Sequence, residues 1–177
     1  SMVYGNFTNG KVSEETICKP LGIYGNLKYA GELIVKSFNQ VFGLPYTIIR
    51  PSALYGERCV SRRVGQVFIE KLVSQEKITI NGDGSEKLDF TYIEDLIDGI
   101  EKCCNNEKAI NQTFNLTYGN SRPVSDLIEI LKNNFENVSV LKKPKEEFMP
   151  NRGTLDNSKA KELIGFAPKY PIEVGYK

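Results

Sequence analysis

A helix followed by a buried strand is encoded in residues 22–56, which read GIYGNLKYAGELIVKSFNQVFGLPYTIIRPSALYG. The apolar residues of the first part recur at the spacing of one helix face. They are Leu27, Ala30, Leu33, Ile34 and Phe38. Gly43 is typical of a helix C-terminus, and Pro51 ends a run rich in β-branched residues. The segment therefore predicts a helix over residues 23–42 and a strand over residues 45–50.

The alternation of helices and strands continues along the rest of the chain. Hydrophobic periodicity predicts further helices at 64–74, 93–105, 124–135 and 157–163, and strands at 77–80, 113–116 and 137–141. Residues 2–5 are interpreted as the end of a strand, and Asp156 as the cap of the last helix. Such alternation favours an α/β layer architecture, in which the later helices form a smaller lobe.

Charge and composition exclude several classes of site. With 23 basic and 22 acidic residues the net charge is +1, so no overall field would attract nucleic acid or an anionic membrane. The chain has no histidine, which excludes a Ser-His-Asp triad and any His-ligated metal within it. The four cysteines show no CxxC spacing, and we expect reduced cytosolic thiols. We therefore expect a soluble cytoplasmic protein without a metal site, whose acid-base chemistry relies on Tyr, Lys, Asp or Glu.

Tyr24 and Lys28 stand four residues apart near the start of the predicted helix. This spacing places the phenol and the ammonium on the same helix face. A tyrosine has an ordinary pKa of about 10, and a nearby lysine cation favours its phenolate. The two residues are therefore candidates for proton transfer, although the same short pattern also occurs on solvated helix faces.

Five motifs occur in order along the chain. They are Tyr4-Gly5, PLGIYGNLKYAGE at 20–32, IRPSALYG at 49–56, NGDGSEKLDFTYIEDL at 81–96 and RGTLDNSKAKELIG at 152–165. This series resembles the extended short-chain dehydrogenase/reductases, the NAD-dependent epimerases and dehydratases of nucleotide sugars, and it spans nearly the whole chain. The resemblance implies the C-terminal part of such an enzyme.

The resemblance also implies the fold. We expect an α/β protein with a partial Rossmann-type doubly wound parallel sheet and a small α/β substrate-binding lobe. The elements of the sheet layer are expected at about 1–75 and 90–118, and the lobe at about 76–89 and 119–177.

Roles for individual residues follow from the positions that match the motifs. Tyr24 would exchange a proton with a sugar hydroxyl while NAD or NADP removes or returns hydride at the same carbon, and Lys28 would hold the nicotinamide ribose. Pro51 and Ser52 would lie beside the nicotinamide. Arg152 would bind the substrate diphosphate, which suits a guanidinium. The implied partner is a nucleoside-diphosphate sugar, and a homodimer is expected of the full-length protein.

Parts of the family pattern are missing from the chain. The Gly-rich turn that receives the cofactor pyrophosphate does not occur, so we expect the 177 residues to be inactive alone. Ala53 and Leu88 stand where many relatives have an asparagine and an arginine near the diphosphate. We hypothesise that the basic cluster of Arg58, Arg62 and Arg63 replaces these contacts, with Arg62 and Arg63 as candidate substrate ligands.

An NAD(P)-dependent epimerase of a nucleoside-diphosphate sugar, acting through a keto intermediate, is the leading interpretation. Dehydratases of this family carry an adjacent Asp-Glu pair where Ser1 and Met2 stand. If Ser1 and Met2 are native, they favour an epimerase over a 4,6-dehydratase, which is the alternative among enzymes. A non-catalytic binding or assembly module is the alternative of another class, because the cofactor loop is missing.

Overall fold

In the computed structural model, residues 1–7, 10–145 and 149–176 are described, and helices alternate with short strands along them. The helices are Gly22–Phe42 (α1), Val64–Val73 (α2), Ile93–Cys104 (α3), Val124–Lys132 (α4), Ser158–Ile164 (α5) and Ile172–Gly175 (α6). The strands are Thr47–Arg50 (β1), Leu54–Tyr55 (β2), Ile78–Asn81 (β3), Lys87–Leu88 (β4), Thr91–Tyr92 (β5), Gln112–Asn115 (β6), Arg122–Pro123 (β7) and Val140–Lys143 (β8). Single 3-10 turns lie at Met2–Tyr4 and Glu107–Ala109.

The strands pair mostly in parallel. β1 pairs with β6, β2 with β5 and β3 with β8 in parallel, whereas β4 and β7 run antiparallel. The connection between each parallel pair contains at least one helix, which is the arrangement expected of an α/β protein. In the register of β1 with β6, Arg50 lies beside Asn115, so the last residues of these two strands meet at one edge. The loop that follows Arg50 leaves the sheet at this edge, where α/β folds place their ligands.

The prediction for the first helix and strand is confirmed. α1 ends where Gly43 adopts a left-handed conformation with φ 66°, and its N–H donates to the Asn39 carbonyl. This left-handed cap favours glycine, because a side chain there would be strained. β1 then follows within the predicted strand.

Three groups of buried side chains hold the elements together. One packs α2, α4 and β3 through Phe68, Leu127 and Ile78. A second joins α3, β6 and α5, where a Cβ at Gly99 would lie 2.9 Å from side-chain carbons of both Leu116 and Phe166. Full burial of one such aliphatic or aromatic side chain stabilises the fold by about 1.5–3 kcal/mol.

The third group joins the first residues of the chain to the segment around Leu155. Val3, Tyr4 and Val12 pack against Leu155, and Val12 forms a parallel bridge with Leu155. The segment that carries Arg152 is therefore fixed against the first residues of the chain.

The structure corrects several element boundaries. Residues 2–5 form a 3-10 turn rather than a strand end, because the Tyr4 N–H bonds back to the Ser1 carbonyl. The strand predicted at 137–141 lies at Val140–Lys143, after Asn137 turns the chain with φ 58°. The helix predicted to be capped by Asp156 is α5, whose N-cap residue is Asn157, without a capping hydrogen bond from its side chain. Asp156 accepts a hydrogen bond from the Ser158 N–H at the start of this helix.

The predicted division into a sheet layer and a lobe stays a prediction. No helix in the described part of the chain combines the length and the apolar character that crossing a membrane requires.

Candidate active site

A cavity of about 350 Å³ lies between α1 and the loop that follows β1. It brings together most of the residues singled out in the sequence. These are Tyr24, Lys28, Pro51, Ser52, Arg63 and Arg152. They come from four separate parts of the chain, so the cavity is formed only by the tertiary fold.

Arg62 is the predicted site residue that does not line this cavity. Its side chain is 71% exposed, and its Nη2 lies 3.4 Å from Oε2 of Glu70 on α2. The backbone of Arg62 has a left-handed φ of 46°, whereas its neighbour Arg63 has φ −67° and caps α2. This change of backbone direction places the two adjacent arginines in different environments.

Tyr24 and Lys28 lie close together on one wall of the cavity. The Lys28 Nζ lies 5.6 Å from the centroid of the Tyr24 ring, which is within the range of a cation–π contact. Both residues are exposed to solvent in this chain, and Tyr24 is 54% exposed. The phenol is thus reachable by a ligand and has a cation beside it.

Arg152 lies where this cavity meets a second one of about 260 Å³, and it lines both. Its Nε is buried without a hydrogen-bond partner. Burial lowers the pKa of its guanidinium, and the nearby charge of Arg63 lowers it further, while Glu86 opposes them. A buried guanidinium nitrogen without an acceptor is uncommon in proteins. The arrangement indicates a site for an anionic ligand.

The cavity is positively charged. Among the described residues, none of the ion pairs includes Lys28, Arg63 or Arg152. Glu32 is the acidic residue in the lining, and its carboxylate is bound by Arg50. The charges of the three unpaired residues are therefore available to a ligand.

Two positions at which the chain departs from the family pattern have different surroundings. Ala53 lines the cavity, where its methyl group offers no hydrogen bond. Leu88 is buried in the apolar core at 6% exposure, and it is absent from the cavity lining. The substitution at Leu88 therefore fits the hydrophobic packing of β4.

Sequence reasoning missed a network of buried polar side chains in the wall of the cavity. The Arg50 guanidinium donates from Nε and Nη2 to the two carboxylate oxygens of Glu32, at 2.9 and 2.6 Å. Its Nη1 donates to the Tyr4 hydroxyl at 2.8 Å, which in turn donates to Oδ1 of Asn115 at 2.7 Å. Burial raises the pKa of Tyr4 to about 12, so this phenol stays protonated. The one signal in the sequence was the position of Glu32, four residues after Lys28 on the same helix face.

The first residues of the chain also line the cavity. Ser1, Met2 and Val3 contribute to its wall, and the Ser1 nitrogen donates to the Pro51 carbonyl at 2.7 Å. In the part of the chain that the structure describes, no three Cys, Asp or Glu side chains are grouped to hold a metal ion.

Comparison with known proteins agrees with the fold. A family model described as the NAD dependent epimerase/dehydratase family matches residues 1–117. The chain belongs to this family. The match includes α1, β1 and the loop between β1 and α2, and the membership and fold expected from the sequence motifs are confirmed.

Curated relatives in the epimerase/dehydratase family extend the match over the whole chain. An uncharacterized UDP-glucose epimerase of Bacillus subtilis, YtcB, is 32% identical over 176 residues, which cover 99% of this chain and 55% of the relative. A putative UDP-glucose 4-epimerase of Methanocaldococcus jannaschii is 32% identical over 180 residues, covering 99% of this chain and 57% of the relative. The chain thus spans about half the length of the curated relatives that it matches.

Solved structures of family members show the same fold. The UDP-glucuronic acid 4-epimerase of Bacillus cereus, in complex with UDP-glucuronic acid and NAD, superposes with a TM-score of 0.94 at 28% identity. The match covers 99% of this chain and 56% of that one. The UDP-glucose 4-epimerase of Thermotoga maritima, with UDP-glucose, superposes with a TM-score of 0.90 at 30% identity, covering 98% of this chain and 57% of that one.

Proposed function

We propose that this chain supplies the nucleotide-sugar site and the proton-transfer residues of an NAD-dependent epimerase of a nucleoside-diphosphate sugar. One observation carries the proposal. A single cavity has Tyr24 and Lys28 on one wall and the unpaired cations Arg63 and Arg152 elsewhere in its lining. Groups that can move a proton and groups that can bind a diphosphate therefore face the same space.

The two arginines would bind the diphosphate. Their charges are close enough for Arg63 to lower the pKa of Arg152, so the empty site carries a repulsion. A diphosphate bound between them would remove this repulsion and supply the acceptor that Arg152 Nε lacks. The relatives with UDP-sugars bound have similar folds, which supports the same class of ligand here.

The orientation of the substrate follows from the position of Arg152 between the two cavities. With the diphosphate at Arg152, the sugar would extend towards Tyr24 and the nucleoside into the second cavity. The second cavity has polar side chains that suit a ribose and a base, including Asn81, Asp83 and Asn151.

Tyr24 would act on the sugar as acid and base. Its phenol oxygen would accept the proton of one sugar hydroxyl and return it after the keto sugar has presented its other face. Lys28 beside it would stabilise the phenolate formed in this exchange. When NAD is bound, it supplies the acceptor and donor for the hydride at that sugar carbon.

The residues present fit one end of NAD. Lys28 has an ammonium that no acidic side chain among the described residues pairs with, and it would hold the nicotinamide ribose beside Pro51 and Ser52. The Gly-rich turn for the pyrophosphate is not in the sequence. We therefore expect the 177 residues to be inactive unless a dinucleotide-binding half is added.

A homodimer of the complete protein is part of the proposal. α1 exposes a row of apolar side chains, including Ile34 at 58%, Phe38 at 49% and Val41 at 71%. A second copy of α1 packed on this row would remove these groups from water.

Restoring the missing half tests the proposed reaction. The part of the Bacillus cereus epimerase that precedes the matched region would be joined ahead of Ser1, and UDP-glucose and UDP-glucuronic acid would be supplied with NAD. We expect the anomeric proton signals of the 4-epimer to appear in NMR spectra. Tyr24→Phe should abolish turnover, while Tyr46→Phe, a matched loss of one hydroxyl outside the cavity, should not.

The outcomes separate this proposal from its alternatives. A folded chimera that binds UDP-glucose but turns over neither sugar, with NAD bound, would contradict the proposed reaction and support a binding module. Formation of a 4-keto-6-deoxy sugar would instead identify a dehydratase. If Ser1 and Met2 are native, they favour the epimerase, because these cavity residues carry no carboxylate for the elimination of water.

A further inference from the structure

The helix that carries Tyr24 and Lys28 makes few buried contacts with the rest of the chain. Within Gly22–Phe42, which the structure describes throughout, the buried residues are Gly25 and Glu32. Large apolar side chains of α1 such as Ile23 and Leu27 are 82% and 67% exposed. Among the described residues, hydrophobic packing of α1 is therefore limited to partly buried side chains such as Tyr29, which packs against the group around Val3 and Tyr4.

Gly25 sets how closely the start of α1 approaches the N-terminal segment. A Cβ at this position would lie 3.0 Å from the Met2 carbonyl oxygen and 3.2 Å from Cβ of Pro20. This contact limits the distance between helix and segment, but a close approach at a single glycine leaves the helix free to rotate about its axis.

Glu32 supplies a directional contact. Arg50 binds both of its carboxylate oxygens, and both side chains are buried, at 5% and 10% exposure. A bidentate guanidinium–carboxylate pair requires the two planar groups to align, so it restricts rotation as well as distance. The burial of the pair makes it much less sensitive to screening by salt than a surface ion pair.

Arg50 is itself held in place. Its third nitrogen donates to the Tyr4 hydroxyl, which donates to the Asn115 side chain. The Asn115 amide donates to the carbonyls of Val12 and Asp156. Arg50 directly precedes Pro51, which lines the cavity opposite α1. Because Arg50 is held in place, this wall of the cavity is held in place as well.

We propose that Glu32 is a positioning residue for the reaction. Tyr24, Lys28 and Glu32 are four residues apart and share one face of α1. The Glu32–Arg50 pair therefore sets the rotation of the helix that points Tyr24 and Lys28 into the cavity opposite Pro51. The role in catalysis rests on the proposed function, whereas the orientation of α1 is measurable without any ligand.

Residual dipolar couplings of the isotopically labelled 177-residue chain test the orientation. We compare wild type with Glu32→Gln, which removes the carboxylate charge, and with Arg50→Lys. The Arg50→Lys variant keeps the buried charge balance and removes the bidentate geometry. We expect the couplings of α1 to depart from the wild-type orientation in both variants, while those of α4 stay unchanged. Glu129→Gln removes the same charge from an exposed pair with Lys132 and should change neither helix.

Binding affinities provide a readout that general destabilisation would not produce. In the proposed binding mode, UDP would contact only the arginine side of the site, whereas the sugar of UDP-glucose would reach Tyr24 and Lys28. Arg50→Lys should leave the affinity for UDP within about twofold of wild type and reduce the preference for UDP-glucose over UDP by about tenfold.

Each outcome decides the inference. Unchanged α1 couplings in the folded Arg50→Lys variant would overturn it. An unchanged preference for UDP-glucose in the Arg50→Lys variant would also overturn it. Equal binding of UDP and UDP-glucose by the wild-type chain would overturn it too, because α1 would then not contact the sugar. A wild-type chain that binds neither ligand would overturn the proposed function, and the couplings would still decide whether Glu32 orients α1.

Discussion

Replacing Arg152 with methionine should weaken ligand binding and stabilise the free protein. Arg152→Met keeps an unbranched side chain and removes the guanidinium. The expected loss of affinity follows because the methionine side chain cannot donate the hydrogen bonds that the guanidinium would donate to the diphosphate. Two charge-assisted bonds at the lower end of their range amount to about 3 kcal/mol, which is about a 100-fold loss of affinity for UDP.

The stability prediction has the opposite sign. In the free chain the Arg152 Nε is buried without a partner, and Arg63 repels the guanidinium. An unsatisfied buried polar group costs about 1–3 kcal/mol, and because Arg152 is only partly buried we take the lower end. The gain of about 1 kcal/mol in the free energy of unfolding should raise the Tm by about 2–4 °C in a chain of this length.

Calorimetric titration with UDP and urea denaturation measure the two effects on the same protein samples. Arg62→Met is the matched control, because that exposed arginine lies outside the cavity. Its effects should stay within about 0.5 kcal/mol for both binding and stability. A destabilised Arg152→Met variant that binds UDP as tightly as wild type would refute the reasoning, because Arg152 would then be a structural residue.

Two further predictions concern titrating groups. Burial raises the pKa of Asp89 to about 6, above the ordinary carboxyl value, so the folded state binds this proton more tightly than the unfolded state. The free energy of unfolding should therefore fall by about 3 kcal/mol as the pH rises from about 4 to about 6, and Asp89→Asn should flatten this part of the urea-denaturation profile. Burial alone would raise the pKa of the Cys59 thiol, but hydrogen bonds from Arg63 and Ser61 outweigh this effect, so the pKa is lowered. For Cys103, burial raises the pKa of the thiol to about 11. In a Cys104→Ser background, Cys59 should react with a thiol reagent at neutral pH about 100-fold faster than Cys103. Cys59→Ser should remove this fast phase. Equal rates at the two cysteines would contradict the lowered pKa of Cys59.

The long elements were predictable because their signals are local. α1 and α3 have apolar residues at helical spacing, and β1 lies in a run rich in β-branched residues that ends at Pro51. The two-residue strands β4 and β7 were missed, because two residues show no periodicity. Their pairing depends on chain segments more than 30 residues apart, which no local pattern encodes.

The candidate site was predictable only in part, because only some of its contacts are between residues close together in the sequence. Tyr24 and Lys28 are neighbours on one helix turn, so their spacing was sufficient. No sequence pattern distinguishes Arg62 from Arg63, because the backbone conformation at Arg62 determines which of them lines the cavity. The bond between Glu32 and Arg50 joins residues 18 positions apart and depends on how α1 packs on β1.

The location of the bound nucleotide sugar tests the central claim most directly. UDP-glucose would be titrated into the isotopically labelled chain, and the amide chemical shifts would be followed by NMR. We predict that the largest changes occur at Tyr24, Lys28, Ser52, Arg63 and Arg152, the residues that line the proposed site. Arg63 also lines the neighbouring tyrosine-lined cavity around Tyr55 and Tyr176. Changes confined to Arg63 and that cavity, or no saturable change at all, would contradict the assignment of this site.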